Sequence, residues 1–163
     1  MTSTRHGSAS FEFTEHSVTF QRSFDAPKSL VFDVLSKPEH IQAWFPADDA
    51  PLHVCEVDLR VGGRFHFAWY APGEKECSFR GTYLEIERPT RIVNTWLFEG
   101  WPDDEAVETM ILTQDGDIST MTDILEFSDA ASLGDHFQGD NEGLQTSLNK
   151  LEDLLADLLA GRS

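Results

Sequence analysis

Three polar side chains stand where this sequence could do chemistry: Glu126, Asn94 and Tyr83. Glu126 closes an alternating run, Ile118 to Phe127, in phase with Thr120, Thr122 and Ile124. If that face points inward, the carboxyl meets partly apolar surroundings. Its pKa then rises, and it can serve as a general acid or a ligand anchor. The other phase, Met121, Leu125 and Phe127, is the more apolar set, so periodicity leaves both orientations open. Asn94 and Tyr83 each offer a hydrogen bond amid aromatic residues, either to a ligand or simply as satisfied core or edge residues.

Other chemistry finds little support. There is no Gly-x-Ser-x-Gly, no Gly-x-x-x-x-Gly-Lys and no His-Glu-x-x-His. Gly62-Gly63 precedes no helix, so it reads as a turn and not as a dinucleotide loop. His6, His16, His40, His53, His66 and His136 are scattered, with no two at metal-ligand spacing on one element. No metal site and no cofactor are expected. Cys55 and Cys77 lack zinc spacing and read as reduced thiols, although they could face each other on neighbouring strands.

The elements that must position these groups begin from the C-terminus. Leu144, Leu148, Leu151, Leu155 and Leu158 recur in steps of four and three, and Leu154 and Leu159 widen the stripe. This predicts one long helix ending near Ala160 and Gly161. Before it, alternation predicts seven strands: Ser17–Phe24, Val54–Val61, Arg64–Tyr70, Ser78–Glu87, Arg91–Phe98, Ala106–Thr113 and Ile118–Phe127. Asp115-Gly116-Asp117 marks a hairpin, and Gly81 marks a bulge or a close approach. Between the first two strands, Asp25 as N-cap and Pro27 in the first turn open one short helix; Pro38 opens a second that Pro46 ends. Ala131 to Phe137 is read as a further short helix. Residues 1–14 read as a loose tail with a weak strand start near Phe11, and 15–163 as one domain.

The fold class is therefore α+β: an antiparallel meander wrapped around a terminal helix. One helix cannot fill the hollow of seven curved strands, and an apolar pocket is the usual outcome. Trp44, Phe65, Phe67, Trp69, Trp96 and Phe98 form the aromatic set on the presumed concave face, with Leu144 and Leu148 on the helix above. Burying each ring stabilises by roughly 1.5–3 kcal/mol, so these residues serve the core whatever else they do.

Bulk charge narrows the partners. The 163 residues carry a net charge of −17. Residues 1–101 hold 14 acids and 10 bases, whereas 102–163 hold 15 acids and 2 bases. Such a surface repels nucleic acid and anionic lipid. It suits solubility, a basic partner or a salty medium. No apolar window is long enough to span a membrane, and the first ten residues lack a signal-peptide core, so a cytoplasmic protein is expected.

The chain resembles the helix-grip superfamily, also called START-like or SRPBCC, in its branch of homologues of the activator of heat-shock-protein-90 ATPase. The likeness lies in Asp25-Ala26-Pro27, Val31-Phe32, Pro38 to Phe45, Asp58 to Phe65, Phe79 to Ile86, Pro89 to Val93 and Thr95-Trp96. It covers about residues 17–160. The resemblance implies a seven-stranded antiparallel sheet gripping the C-terminal helix, two short helices between strands one and two, and a cavity that in relatives holds lipids, hormones or polyketides. It places Thr122, Ile124 and Glu126 inward, where relatives often carry His at the last position. Gly143-Leu144 stands where relatives have Gly-Trp, which alters the cavity wall. The chain has no room for the activator's separate chaperone-docking domain, which argues against co-chaperone activity.

Three functions follow as expectations. The first is non-catalytic binding of a small apolar or aromatic ligand by Trp44, Phe65, Phe67, Trp69, Tyr83, Asn94, Trp96, Phe98, Thr122, Glu126, Leu144 and Leu148. The second is a chaperone- or stress-related interaction protein using its acidic surface, with sheet edges or the acidic face also available for a homodimer. The third is a small cyclase- or hydrolase-type enzyme with Glu126 as its cavity carboxylate.

Overall fold

The computed structural model describes residues 10–45, 51–70, 76–99, 105–131, 133 and 142–161, with the side chains of 142–144 excepted. Among these residues, eight strands form one antiparallel sheet: β1 (Ser10–Phe13), β2 (Ser17–Phe24), β3 (Leu52–Val57), β4 (Arg64–Tyr70), β5 (Glu76–Glu87), β6 (Arg91–Phe98), β7 (Ala106–Asp115) and β8 (Ile118–Phe127). Their spatial order is β1-β2-β8-β7-β6-β5-β4-β3. Helices α1 (Lys28–Ser36) and α2 (Pro38–Trp44) link β2 to β3, and α3 (Glu142–Gly161) ends the chain.

The predicted strand count is corrected from seven to eight. The extra strand is β1, which falls in the segment expected to be a loose tail. Phe11 lies opposite Phe20 with ring centroids 5.7 Å apart, and this contact anchors a four-residue edge. β3 also starts and stops earlier than predicted. Asp58 to Gly63 fold back instead of extending: Gly63 N–H donates to the Arg60 carbonyl at 2.8 Å, and Gly62 sits at φ 85°. Pro27, not Asp25, occupies the N-cap of α1. Of the helix predicted over 131–137, Ala131 and Leu133 are helical and the rest lies outside the described residues.

The core lies between one face of the sheet and the three helices. Alternate residues face it: Val18, Phe20 and Phe24 on β2, and Met121, Leu125 and Phe127 on β8, all buried. From the other side Leu30, Val31 and Val34 of α1 and Leu148, Leu151 and Leu155 of α3 join the same cluster. The 3.6-residue stripe of α3 and the two-residue alternation of the strands thus meet in one layer. One charged group is enclosed with them. Arg22 of β2 is buried, and its Nη2 donates to Glu152 Oε1 of α3 at 2.7 Å.

Turn chemistry sets the heights of the strands. The β7–β8 hairpin turns at Gly116, φ 62°, with Asp115 paired to Ile118. Gly62 N–H donates to the Tyr83 carbonyl at 2.8 Å, and Tyr83 N–H donates to the Gly63 carbonyl at 2.9 Å. The turn after β3 is thereby stitched to β5 beside Tyr83. Cys55 and Cys77 are both free and are separated by β4, so they do not face each other across neighbouring strands. Burial pushes the Cys55 thiol up, and Gln42 opposes the shift.

Candidate functional site

A cavity of about 150 Å³ remains on the inner face, between the middle of the sheet and the α1–α2 elbow. Its aromatic wall follows from strand alternation. Phe65 and Phe67 on β4, Phe79 on β5 and Trp96 on β6 all project inward, and Trp44 of α2 and Phe45 just after it close the top. Phe79 stacks on Trp96 with centroids 4.8 Å apart, and Phe45 meets Phe79 edge-on at 5.6 Å. Trp44 is held by its indole N–H, which donates to the Val34 carbonyl at 2.9 Å. Trp44, Phe45, Phe67, Phe79 and Trp96 are only half-buried. Rings in a solid core would be covered, so their exposed edges mark an opening to solvent.

The floor is polar. In register across three strands, Tyr83 of β5 faces Asn94 of β6, and Asn94 faces Glu108 of β7. Asp123 of β8 lies one diagonal step further, beside Leu125, the partner of Glu108. Asn94 Nδ2 donates to Glu108 Oε1 at 3.2 Å and to the Thr95 carbonyl at 2.9 Å. All four side chains line the cavity. Burial pushes the Asp123 carboxyl well above the ordinary aspartate range, and the charge of Glu108 and a hydrogen bond to it push in the same direction. Burial also raises the Tyr83 hydroxyl, with Glu108 adding to the shift. Asp123 Oδ1 has no hydrogen-bond partner.

A carboxyl with a raised folded pKa binds its proton more tightly in the folded state. Its contribution to stability is complete below the unfolded aspartate pKa and is lost as pH rises through the folded one. Asp123→Asn keeps a donor for Glu108 and has no proton to lose. The variant is expected to be more stable than wild type by about 1 kcal/mol at pH 8. That advantage should fade towards about pH 4, the unfolded aspartate range. Urea titrations at several pH values measure it, and a variant weaker than wild type at pH 8 contradicts it.

The predicted site residues divide clearly. Trp44, Phe65, Phe67, Tyr83, Asn94 and Trp96 line the cavity. Trp69 and Phe98 lie on the same face beside this wall, packed on Phe79 at 5.6 and 5.0 Å respectively, and are not among the cavity's described lining residues. Leu148 is buried in the core beneath α3 without lining the cavity, and the Leu144 side chain lies outside the described residues. The inward placement of Thr122 and Glu126 is overturned. The buried phase of β8 is Ser119, Met121, Asp123, Leu125 and Phe127. Thr122 lies on the outer face, where it accepts from Gln21 Nε2 at 2.9 Å, and Glu126 is exposed. The cavity carboxylates are Asp123 and Glu108, which the sequence reading missed. Each was signalled as a lone acid in an apolar phase: Met121-x-Asp123-x-Leu125, and Ala106-x-Glu108-x-Met110.

A larger trough of about 730 Å³ lies on the outer face, over β3–β6. Its charges largely answer one another: His66 Nε2 lies 3.4 Å from Glu99 Oε1, and Arg80 Nε 3.9 Å from the same oxygen. Most of its lining is charged or polar, whereas aromatic rings wall the smaller inner cavity, which is the better ligand site. Among the described residues, no three His, Cys, Asp or Glu side chains converge as metal ligands. Nor is any helix long and apolar enough to cross a membrane.

Comparison with known proteins gives a consistent picture. A family model described as activator of Hsp90 ATPase homolog 1-like protein matches residues 25–156. No curated protein matches the chain. The fold is shared with a crystal structure from Rhodobacter sphaeroides, at 19% identity over 91% of this chain and 99% of that one, TM-score 0.82. A solution structure from Staphylococcus epidermidis is 26% identical over 91% and 94% of the two chains, TM-score 0.78. CalU16 from Micromonospora echinospora is similar at 19% identity over 95% and 88%, TM-score 0.61.

Proposed function

Because this chain belongs to the activator of Hsp90 ATPase homolog 1-like family, whose fold suits a ligand-binding or chaperone-related role, we propose that it binds a small, largely apolar ligand in its inner cavity without transforming it. One observation carries this reading: a hollow of about 150 Å³ walled by half-exposed aromatic rings over a short polar floor. Apolar enclosure supplies affinity, and a few polar groups orient the guest. The volume suits a ligand of one ring, not a long lipid. The indole N–H signals of Trp44 and Trp96, both at the wall, are the reporters. They are expected to shift in NMR spectra on titration with benzyl alcohol. Ile92→Trp fills the hollow from β6 and is expected to abolish the shifts while the protein remains folded. Shifts that persist in that variant, or none in wild type, would count against the cavity.

A second reading draws on Asp123. A carboxyl whose pKa is raised by burial and by a neighbouring acid holds its proton more tightly and can donate it to a bound substrate. Within this reading Asp123 takes the place first given to Glu126. Product formation in a one-ring substrate screen, lost in Asp123→Asn but kept in Glu126→Gln, would support it.

A further inference from the structure

The cavity floor carries two carboxyl groups, Asp123 and Glu108, and the wall offers them no cation: among the described residues lining the cavity there is no Lys, Arg or His. Arg22, the buried cation among the described residues, is committed to Glu152 of α3. Asp123 is 6% exposed, lines the hollow, and has an oxygen without a hydrogen-bond partner. A buried acceptor in that state is costly unless something completes it. Aromatic faces surround the same space, and ring faces attract positive charge. Carboxylates beneath and rings around form the setting in which proteins hold organic ammonium groups.

We propose that the ligand of this cavity is an organic ammonium ion: a charged nitrogen seated against the Asp123–Glu108 pair, with a small apolar body enclosed by Trp44, Phe79 and Trp96. The inference rests on the cavity reading above and narrows it to a chemical class. A primary or secondary ammonium donates to the free Asp123 oxygen and to Glu108, whereas a neutral alcohol of the same size satisfies one of them at most. Burial and the Glu108 charge both raise the Asp123 carboxyl, as expected of an acid with no cation beside it. An anionic guest would face the charge of this pair with no cation among the described lining residues to offset it.

The test compares benzylamine, protonated at pH 7, with benzyl alcohol, its neutral counterpart. Calorimetry gives the affinities, and the Trp44 and Trp96 indole signals report the location. Benzylamine is expected to bind wild type at least tenfold more tightly. The ratio is expected to fall below about twofold in Glu108→Gln and to shrink in Asp123→Asn. The acidic exterior also attracts cations, so a preference that survives both variants overturns the proposal. Equal affinities in wild type, or tighter binding of the alcohol, overturn it and leave the apolar cavity standing. Binding of neither probe overturns both readings.

Discussion

Replacing Glu152 with alanine is expected to destabilise the fold by about 3 kcal/mol, the lower end of what removing one partner of a buried pair does. The partner left behind is the reason. The Arg22 side chain has no exposed surface, its Nε and Nη1 atoms have no hydrogen-bond partner, and its guanidinium lies 5.5 Å from the centroid of Phe24. Glu152 is the ion pair that neutralises it, and its side chain is 29% exposed, which places the loss at the lower end. Alanine is the best helix former, so α3 itself does not suffer. The double variant Arg22→Met/Glu152→Leu removes both charges together and is expected to recover most of the lost stability. Urea unfolding of the three proteins measures this. A single variant within about 0.5 kcal/mol of wild type, the range of ordinary surface changes, would show that the pair is not a clasp.

Gly81→Ala is the second large effect, an expected loss of about 2–3 kcal/mol from overpacking. A Cβ at Gly81 would stand 1.9 Å from the Thr95 carbonyl oxygen and 2.6 Å from Cε2 of Phe65. The first contact is with backbone and cannot swing away. The second pushes a ring of the cavity wall. The same substitution should therefore weaken benzyl alcohol binding as well as stability. A melting temperature equal to wild type, with unchanged affinity, would refute the close approach.

Much of the fold was legible because two periodicities were clean. The leucine steps of α3 and the alternation from Arg64 to Phe127 each imply one buried face. β1 was harder to read. Its four residues carry two rings, and its strand state depends on Phe20, which a local pattern cannot include. Asp58 to Gly63 looked extended because Leu59 and Val61 alternate with charge, yet the backbone bonds of Gly63 close it into a turn. At the site, the aromatic wall could be read from ring types, while the phase of β8 could not. Thr122 and Glu126 look like a polar pocket edge by composition. Ser119 inside explains part of the inversion: its hydroxyl donates to the Ala26 carbonyl at 2.6 Å, so a polar residue sits satisfied in the buried phase. Asp123 then reads as a break in an apolar row, when it is the buried acid at the cavity floor.

The pairing of β2 with β8 brings Gln21 beside Thr122, 101 positions later. Every other neighbour from β3 onward is also the next strand in the chain. On a ribosome, the first two strands and their phenylalanines thus emerge long before the only surface that can receive them. The meander can zip up locally as it appears, but the N-terminal ribbon must wait until the last hairpin is out. A chain cut short of Ile118 has every strand but the one that joins its beginning to its end.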